Sequence, residues 1–173
     1  SSIKKTGQTT VYANYDDRYY QKGTTPQYTR ESDIVTDELT HLMWQDDGVV
    51  TSVTKQWLTT ENYNICQNNT SFPACNDTSG DTAATYCSNL TLGDHIDWRL
   101  PTSTELEGIV DYGHSSPAID TASFQNTSSN YYWSSTTYEG GSGYAWYVDF
   151  DSGYVYNSSK GSNGYVRCVR GGQ

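Results

Sequence analysis

The chain has 173 residues, an apolar fraction of 34% and a formal net charge of -10, with 5 Trp and 16 Tyr. This length fits a single domain, and the low apolar fraction predicts a core that rests on aromatic side chains. The negative charge argues against binding to nucleic acid or to anionic membrane surfaces. No stretch approaches the roughly 18 apolar residues of a membrane-spanning helix, so we expect no direct insertion into a membrane.

The first part of the chain divides into a polar segment and the start of a sheet. Residues 1–33 are tyrosine-rich without a clear period, and we interpret them as an extended N-terminal arm, followed by one domain over residues 34–173. Two short strands joined by a turn, over residues 34–37 and 42–45, should open the sheet of that domain. Residues 61–80 are dense in Asn, Thr, Ser, Pro and Gly, which predicts a loop.

Two helices are predicted in the middle of the chain. The first should begin at Asp81 and continue to about Leu90, with Cys87 on its buried face. The second should begin at Thr102, which opens a Thr-x-x-Glu capping box, and should end before Gly113. The apolar residues of the second helix that should face the core are Leu106, Ile109 and Val110.

The remaining sequence predicts strands and loops. Trp146, Val148 and Phe150 alternate with polar or amphipathic residues, which is the period of a strand with one buried face. A turn at 152–153 leads into the next strand, and a last strand over 165–170 should return to the core. Large aromatic side chains usually pack inside, so we interpret Trp98, Trp133 and Trp146 as buried aromatics.

The chain contains four cysteines, Cys66, Cys75, Cys87 and Cys168, and no CxxC pair. An even number in such a polar chain favours two disulfides. Cys66 and Cys75 bracket a short polar loop and should pair locally, which leaves Cys87 for Cys168. Disulfides form in oxidising compartments, so we expect a secreted or cell-surface protein.

Several ordered blocks resemble the C-terminal domain family of the Legionella collagen-like adhesin. Together with an earlier block at 42–45, the resemblance covers roughly residues 34 to 172. The later blocks are Trp98-Arg99-Leu100-Pro101-Thr102, Glu105-Leu106, Tyr132-Trp133-Ser134-Ser135-Thr136, Ala145-Trp146-Tyr147-Val148-Asp149-Phe150 and Val166-Arg167-Cys168-Val169-Arg170-Gly171-Gly172.

This family is similar to C-type lectins and to the domain of the formylglycine-generating enzyme. The resemblance therefore implies an α+β, C-type-lectin-like fold with two helices around a small antiparallel or mixed sheet, long loops and disulfide bonds. It also implies an adhesin of the bacterial surface, with glycosaminoglycan binding in the founding member. The net charge of -10 opposes a sulfated polyanion as the ligand of this chain.

The segment 131–165 consists mostly of Tyr, Ser, Gly and Asn, a composition typical of antibody paratopes. It predicts an extracellular module that binds a protein or glycan on another cell. C-type-lectin-like proteins diversified by retroelements are similar in this respect, so the segment is a candidate for hypervariability. The candidate ligand-binding residues are the outward positions between the blocks: Tyr138, Ser142, Tyr144, Asp151, Tyr154, Tyr156, Asn157, Ser158, Ser159, Ser162 and Asn163.

Other function classes remain alternatives. One is a structural or assembly domain of a surface fibre or pilus, for which a trimer would be suitable. Another is a formylglycine-generating-type oxidase, but this activity needs a reactive cysteine, and Cys168 is expected to be bridged. The histidines are scattered and no catalytic motif is present, so we predict no catalytic residues and no enzyme activity.

A calcium ion is the one cofactor that the sequence leaves open. C-type lectins often use calcium, and hard oxygen ligands could come from Asp46-Asp47 or from Asp149 and Asp151. A turn at the first pair and a solvated strand face at the second explain these residues without a metal. We therefore predict no cofactor and no metal site, with a structural calcium ion as the alternative.

Overall fold

The computed structural model describes residues 4–7, 23–69 and 73–171 and has the predicted α+β composition. Its α-helices are α1 (Thr60–Asn68), α2 (Ala83–Ser88) and α3 (Ser103–Glu107). Its strands are β1 (Tyr28–Glu31), β2 (Ile34–Asp37), β3 (Met43–Gln45), β4 (Thr54–Gln56), β5 (Tyr131–Thr137), β6 (Tyr144–Asp149), β7 (Tyr154–Ser159), β8 (Asn163–Tyr165) and β9 (Val169–Arg170).

The first sheet is antiparallel and has the strand order β1-β2-β3-β9. The predicted pair of strands is confirmed as β2 and β3, in which Val35 lies opposite Trp44 and both are fully buried. The sheet begins with β1, inside the segment interpreted as an arm. Most of that segment, residues 1–3 and 8–22, lies outside the described residues, so the division of the chain at residue 33 stays a prediction.

The second sheet is mixed and has the strand order β4-β8-β5-β6-β7. β5, β6 and β7 form an antiparallel meander, and β8 runs parallel to β5. The prediction of one small sheet is therefore wrong. The last strand, expected over 165–170, is divided between the two sheets, because Arg167 and Cys168 turn into the core to reach Asp46 and Cys87.

The prediction of two helices is also wrong, because α1 lies within the segment interpreted as a loop. The Thr59 side chain caps α1 by accepting a hydrogen bond from the backbone N–H of Asn62. Cys66 is the only fully buried residue of α1. The helix has no apolar stripe, so hydrophobic periodicity gave no signal for it.

The two predicted helices exist but are shorter than expected. α2 is capped by Thr82 rather than Asp81, whose carboxylate pairs with Lys55 instead. The capping box that begins at Thr102 is confirmed at the start of α3. α3 ends at Gly108 rather than near Gly113.

Both predicted disulfides are confirmed. The Cys66–Cys75 bridge closes a local loop, and the Cys87–Cys168 bridge joins α2 to the segment before β9. All four cysteines of the chain are therefore bridged, and no thiol is left.

The second sheet lies between two clusters of buried side chains. Successive residues of a strand point to opposite faces, so β5 contributes Tyr132 to one cluster and Trp133 to the other. The first cluster also contains Leu106 and Ile109, from α3 and the turn after it. The second contains both disulfides and confirms Trp98 and Trp133 as buried aromatics. β7 lies at the outer edge of this sheet.

Candidate functional site

Four tyrosines lie together on one face of the meander. Tyr147 of β6 is opposite Tyr156 of β7, and Asp149 is opposite both Tyr131 of β5 and Tyr154 of β7. Residues that face each other across antiparallel strands lie on the same side of the sheet. We call Tyr131, Tyr147, Asp149, Tyr154 and Tyr156 the tyrosine face.

The rings of the tyrosine face form a continuous series of contacts. The ring centroids lie 4.7 Å apart for Tyr131 and Tyr147, 6.3 Å apart for Tyr147 and Tyr156, and 5.9 Å apart for Tyr156 and Tyr154. Tyr154 and Tyr156 are 59% and 51% exposed, whereas Tyr131 and Tyr147 are partly buried. The series thus extends from the second buried cluster to the outer edge of the sheet. The exposed rings of Tyr154 and Tyr156 therefore pack against partly buried tyrosines.

Close packing beneath Tyr131 depends on a glycine. A Cβ atom at Gly164 of β8 would lie 2.5 Å from the Tyr131 ring and 2.8 Å from Nε1 of Trp133. The Tyr131 hydroxyl donates a hydrogen bond to the backbone carbonyl of Asn163. Both contacts fix Tyr131 against β8 and so define the inner end of the tyrosine face.

The tyrosine face carries one carboxylate, that of Asp149. The segment 131–159 contains no lysine or arginine, and its other two acidic side chains bond elsewhere, Glu139 to the indole of Trp146 and Asp151 to Ser116. Burial, together with the Asp149 charge, raises the pKa of Tyr147, so its hydroxyl stays protonated at neutral pH. Neutral tyrosines beside the Asp149 carboxylate offer aromatic area, hydrogen-bonding groups and a negative charge that attracts cations.

The eleven residues predicted as ligand-binding do not form one patch. Tyr154, Tyr156 and Ser158 lie on the side of the sheet that carries the tyrosine face. Three others lie on the opposite side, at Tyr144, Asn157 and Ser159. The remaining five lie in turns or at strand ends: Tyr138, Ser142, Asp151, Ser162 and Asn163. Their role in binding stays a prediction.

Sequence reasoning left three members of the tyrosine face out of the candidate list. Tyr147 and Asp149 lie in a block that carries the family resemblance, whereas the candidates are positions between the blocks, and Tyr131 is not among those candidates. The alternation of Trp146-Tyr147-Val148-Asp149 did indicate that Tyr147 and Asp149 share a face. Strand register, which decides what lies opposite them, came only with the fold.

Trp146 is not the core aromatic that the alternating pattern predicted. Its side chain is half-buried, and its indole N–H donates to Glu139 at 3.2 Å. The ring packs edge-on against Tyr138, with centroids 5.0 Å apart. Trp146 lies further from the central core than Val148 and Phe150, because β6 extends beyond the first buried cluster at this end.

Asp46, one of the residues weighed as a calcium ligand, is fully buried and has other partners. Its carboxylate pairs with Arg30 and Arg167 and accepts hydrogen bonds from the backbone N–H groups of Gln125 and Asn126. These contacts leave no arrangement suited to a calcium ion at Asp46. Across the described parts of the chain, no group of three or more His, Cys, Asp or Glu residues is arranged to hold a metal.

Lys160 is a buried cation that the sequence did not single out. Its Nζ donates to the carbonyl of Cys75 at 2.6 Å and to the hydroxyl of Thr137 at 2.9 Å. It also lies 3.9 Å from the centre of the Trp57 ring. Burial lowers the pKa of Lys160 to about 8. Lys160 thereby joins the Cys66–Cys75 loop to the meander.

These features define a disulfide-bonded α+β domain that presents an aromatic sheet face with one carboxylate. The model of the Lcl C-terminal domain family matches residues 33–170. The chain belongs to this family, the C-terminal domains of Legionella collagen-like proteins. A comparison with curated proteins gave no significant match.

Membership of this family makes the chain an adhesin-related surface domain. The two disulfides agree with an extracellular or surface location, because disulfides persist in oxidising compartments. Among the helices of the described residues, none has the length and apolar character needed to cross a membrane.

Proposed function

We propose that this domain binds a protein or glycan on another surface, and that the tyrosine face is its contact surface. The observation that carries the proposal is the series of four touching tyrosines whose outer members, Tyr154 and Tyr156, are more than half exposed. Tyrosine offers a large amphipathic contact area with few rotatable bonds, so little conformational entropy is lost on binding. Adhesion by the family agrees with this role.

We also propose that the fold is C-type-lectin-like. The disulfide between α2 and the segment before β9 supports this assignment. The mixed sheet and the long connection between α3 and β5 also support it. In this arrangement the β5–β7 meander presents the ligand-binding surface. Hypervariability of the segment 131–165 remains a proposal, and a near-repeat of its coding DNA beside a reverse transcriptase gene would support it.

The proposed role is binding without catalysis. All four cysteines are bridged, which leaves no thiol for chemistry of the formylglycine-generating type. The three histidines lie on separate loops, and His114 has an aspartate neighbour, Asp111, at 2.8 Å on an exposed surface. The proposal needs no cofactor.

The test is a binding assay with a double variant of the exposed tyrosines. Fluorescently labelled protein is applied to a glycan array, an array of extracellular-matrix proteins and intact bacterial and mammalian cells. We expect binding on at least one of these supports and expect Tyr154→Ala/Tyr156→Ala to reduce it at least tenfold, as loss of two interface aromatics does. Because both side chains are exposed, the melting temperature should fall by no more than a few degrees.

The matched control is Ile65→Ala/Ile96→Ala, which removes two exposed apolar side chains away from the tyrosine face, 49% and 76% exposed. This variant should bind like the wild type. The proposal fails if the wild type binds none of the supports or if the tyrosine variant binds normally. It also fails if Tyr144→Ala, on the opposite side of the sheet, abolishes binding while the tyrosine variant does not.

A further inference from the structure

The outer edge of β7 is open in the part of the chain that the structure describes. β7 pairs with β6 on one side, and among the described residues no strand pairs with its other side. The backbone N–H of Lys160 donates to the carbonyl of Gly143, so these two residues form a hydrogen-bonded pair immediately beyond the paired ends of β6 and β7. Along an antiparallel pair of strands, hydrogen-bonded pairs alternate with pairs whose backbone groups point outward. By the same register, Val155 and Asn157 direct their backbone N–H and C=O groups away from β6.

This edge carries none of the usual features that prevent another strand from pairing with it. Exposed edges are commonly protected by lysine, by proline or by a bulge. β7 has the sequence Tyr-Val-Tyr-Asn-Ser-Ser and an unbroken register with β6 over all six residues. It therefore offers a regular backbone template to an extended chain.

Charge decides which kind of chain fits there. Tyr154 and Tyr156 line the open edge, the carboxylate of Asp149 lies opposite Tyr154, and the segment 131–159 contains no lysine or arginine. Apart from Lys5, every lysine and arginine in the described part of the chain is paired with a carboxylate or buried. A cation supplied by a partner would find aromatic faces and uncompensated negative charge.

We propose that β7 binds an extended, lysine- or arginine-bearing segment of a partner protein, which adds to the second sheet as a further strand. The partner's backbone pairs with Val155 and Asn157, and its alternate cationic side chains lie over Tyr154 and Tyr156. A second copy of this chain is a poorer occupant, because two such edges would bring like charges together. This inference rests on the proposed function and specifies the partner class for the same surface.

The experiment uses a fluorescein-labelled heptapeptide, Lys-Thr-Lys-Thr-Lys-Thr-Lys, titrated with the protein and followed by fluorescence anisotropy. The matched controls are the peptide with Glu in place of every Lys and the Lys peptide N-methylated at alternate amides. We expect binding of the Lys peptide only, because the first control reverses the charge and the second blocks strand pairing. Added salt should weaken the binding, since the charges at this edge are exposed.

Variants locate the binding on the molecule. Tyr154→Ala/Tyr156→Ala should weaken the binding of the Lys peptide about tenfold. Asp149→Asn should weaken it several-fold, because Asn keeps an oxygen that can accept from the backbone N–H of Asp151 and loses only the charge. Ile65→Ala/Ile96→Ala should have no effect. In an NMR spectrum of labelled protein, the amide signals of Val155 and Asn157 should shift and become protected from hydrogen exchange.

Several results would overturn the proposal: no binding of the Lys peptide, equal binding of the Glu or N-methylated peptide, or amide protection elsewhere than β7. Concentration-dependent dimerisation through β7 would identify a second copy as the occupant instead. If the tyrosine variant loses binding to the arrays or cells while the Lys peptide neither binds nor competes, the proposed function stands and this inference fails. If neither assay responds to that variant, both fail.

Discussion

At the scale of single residues, the largest surprises are charged side chains inside the protein. Arg167 is fully buried between Phe124 and Tyr132, with its guanidinium over both rings, and it pairs with buried Asp46. Lys160 is buried, and no carboxylate of the described residues pairs with it. Lysine and arginine are rarely buried, so neither position could be assigned to the core from the sequence.

Lys160 should make stability depend on pH. Its pKa is about 8 in the folded protein and near 10.5 when exposed in the unfolded chain. Between these values the unfolded chain binds more protons, so the unfolding free energy rises with pH. Lys160→Met should remove a rise on the order of 1–3 kcal/mol between about pH 7.5 and about pH 10, measured by urea unfolding.

The control for Lys160 is Lys55→Met, which removes a lysine that pairs with exposed Asp81. It should keep the pH dependence of the wild type. Apart from the substituted lysine, every titratable group is the same in each variant and the wild type, so the comparison isolates the lysine. Equal pH profiles for the wild type and Lys160→Met would contradict the argument.

At the scale of elements, β8 illustrates how one residue determines the geometry of the candidate site. Gly164→Ala should push Tyr131 and Trp133 away from β8 and cost about 1–3 kcal/mol, as overpacking does. Gly48→Ala is the control, because a Cβ atom there meets nothing within 4 Å, and it should change stability by no more than about 0.5 kcal/mol. Thermal unfolding measures both, and equal melting temperatures for the two variants would contradict the assigned packing.

The elements that could be predicted were those with a local signal. The capping box at Thr102, the strand pair β2–β3 and the turn at Gly153, which has a φ of 83°, each follow from a few adjacent residues. α1 could not be predicted, because its stability comes from a capping threonine, a buried cysteine and a disulfide rather than from apolar periodicity. The split of the last strand depends on partners distant in the sequence, Asp46 and Cys87.

At the scale of the whole molecule, the two disulfides restrain very different lengths of chain. Cys66–Cys75 spans 9 residues and Cys87–Cys168 spans 81. In the loop-entropy model these bridges stabilise the fold by about 2.6 and about 4.5 kcal/mol. Replacing Cys87 and Cys168 by Ala should therefore cost roughly 1.5–2 kcal/mol more than replacing the other pair. Chemical denaturation of both double variants measures the difference, and a larger loss from the short bridge would contradict it.

The sequence by itself determined the α+β class, both disulfides, the start of α3 and the family, because these depend on local patterns and on the order of motifs. It also indicated a tyrosine-rich final third and a negative net charge for the whole chain. Only the tertiary structure decided which tyrosines touch, since contact across β5, β6 and β7 depends on strand register. For the same reason it divided six of the predicted site residues between two sides of one sheet and, among the described residues, left the edge of β7 without a strand partner.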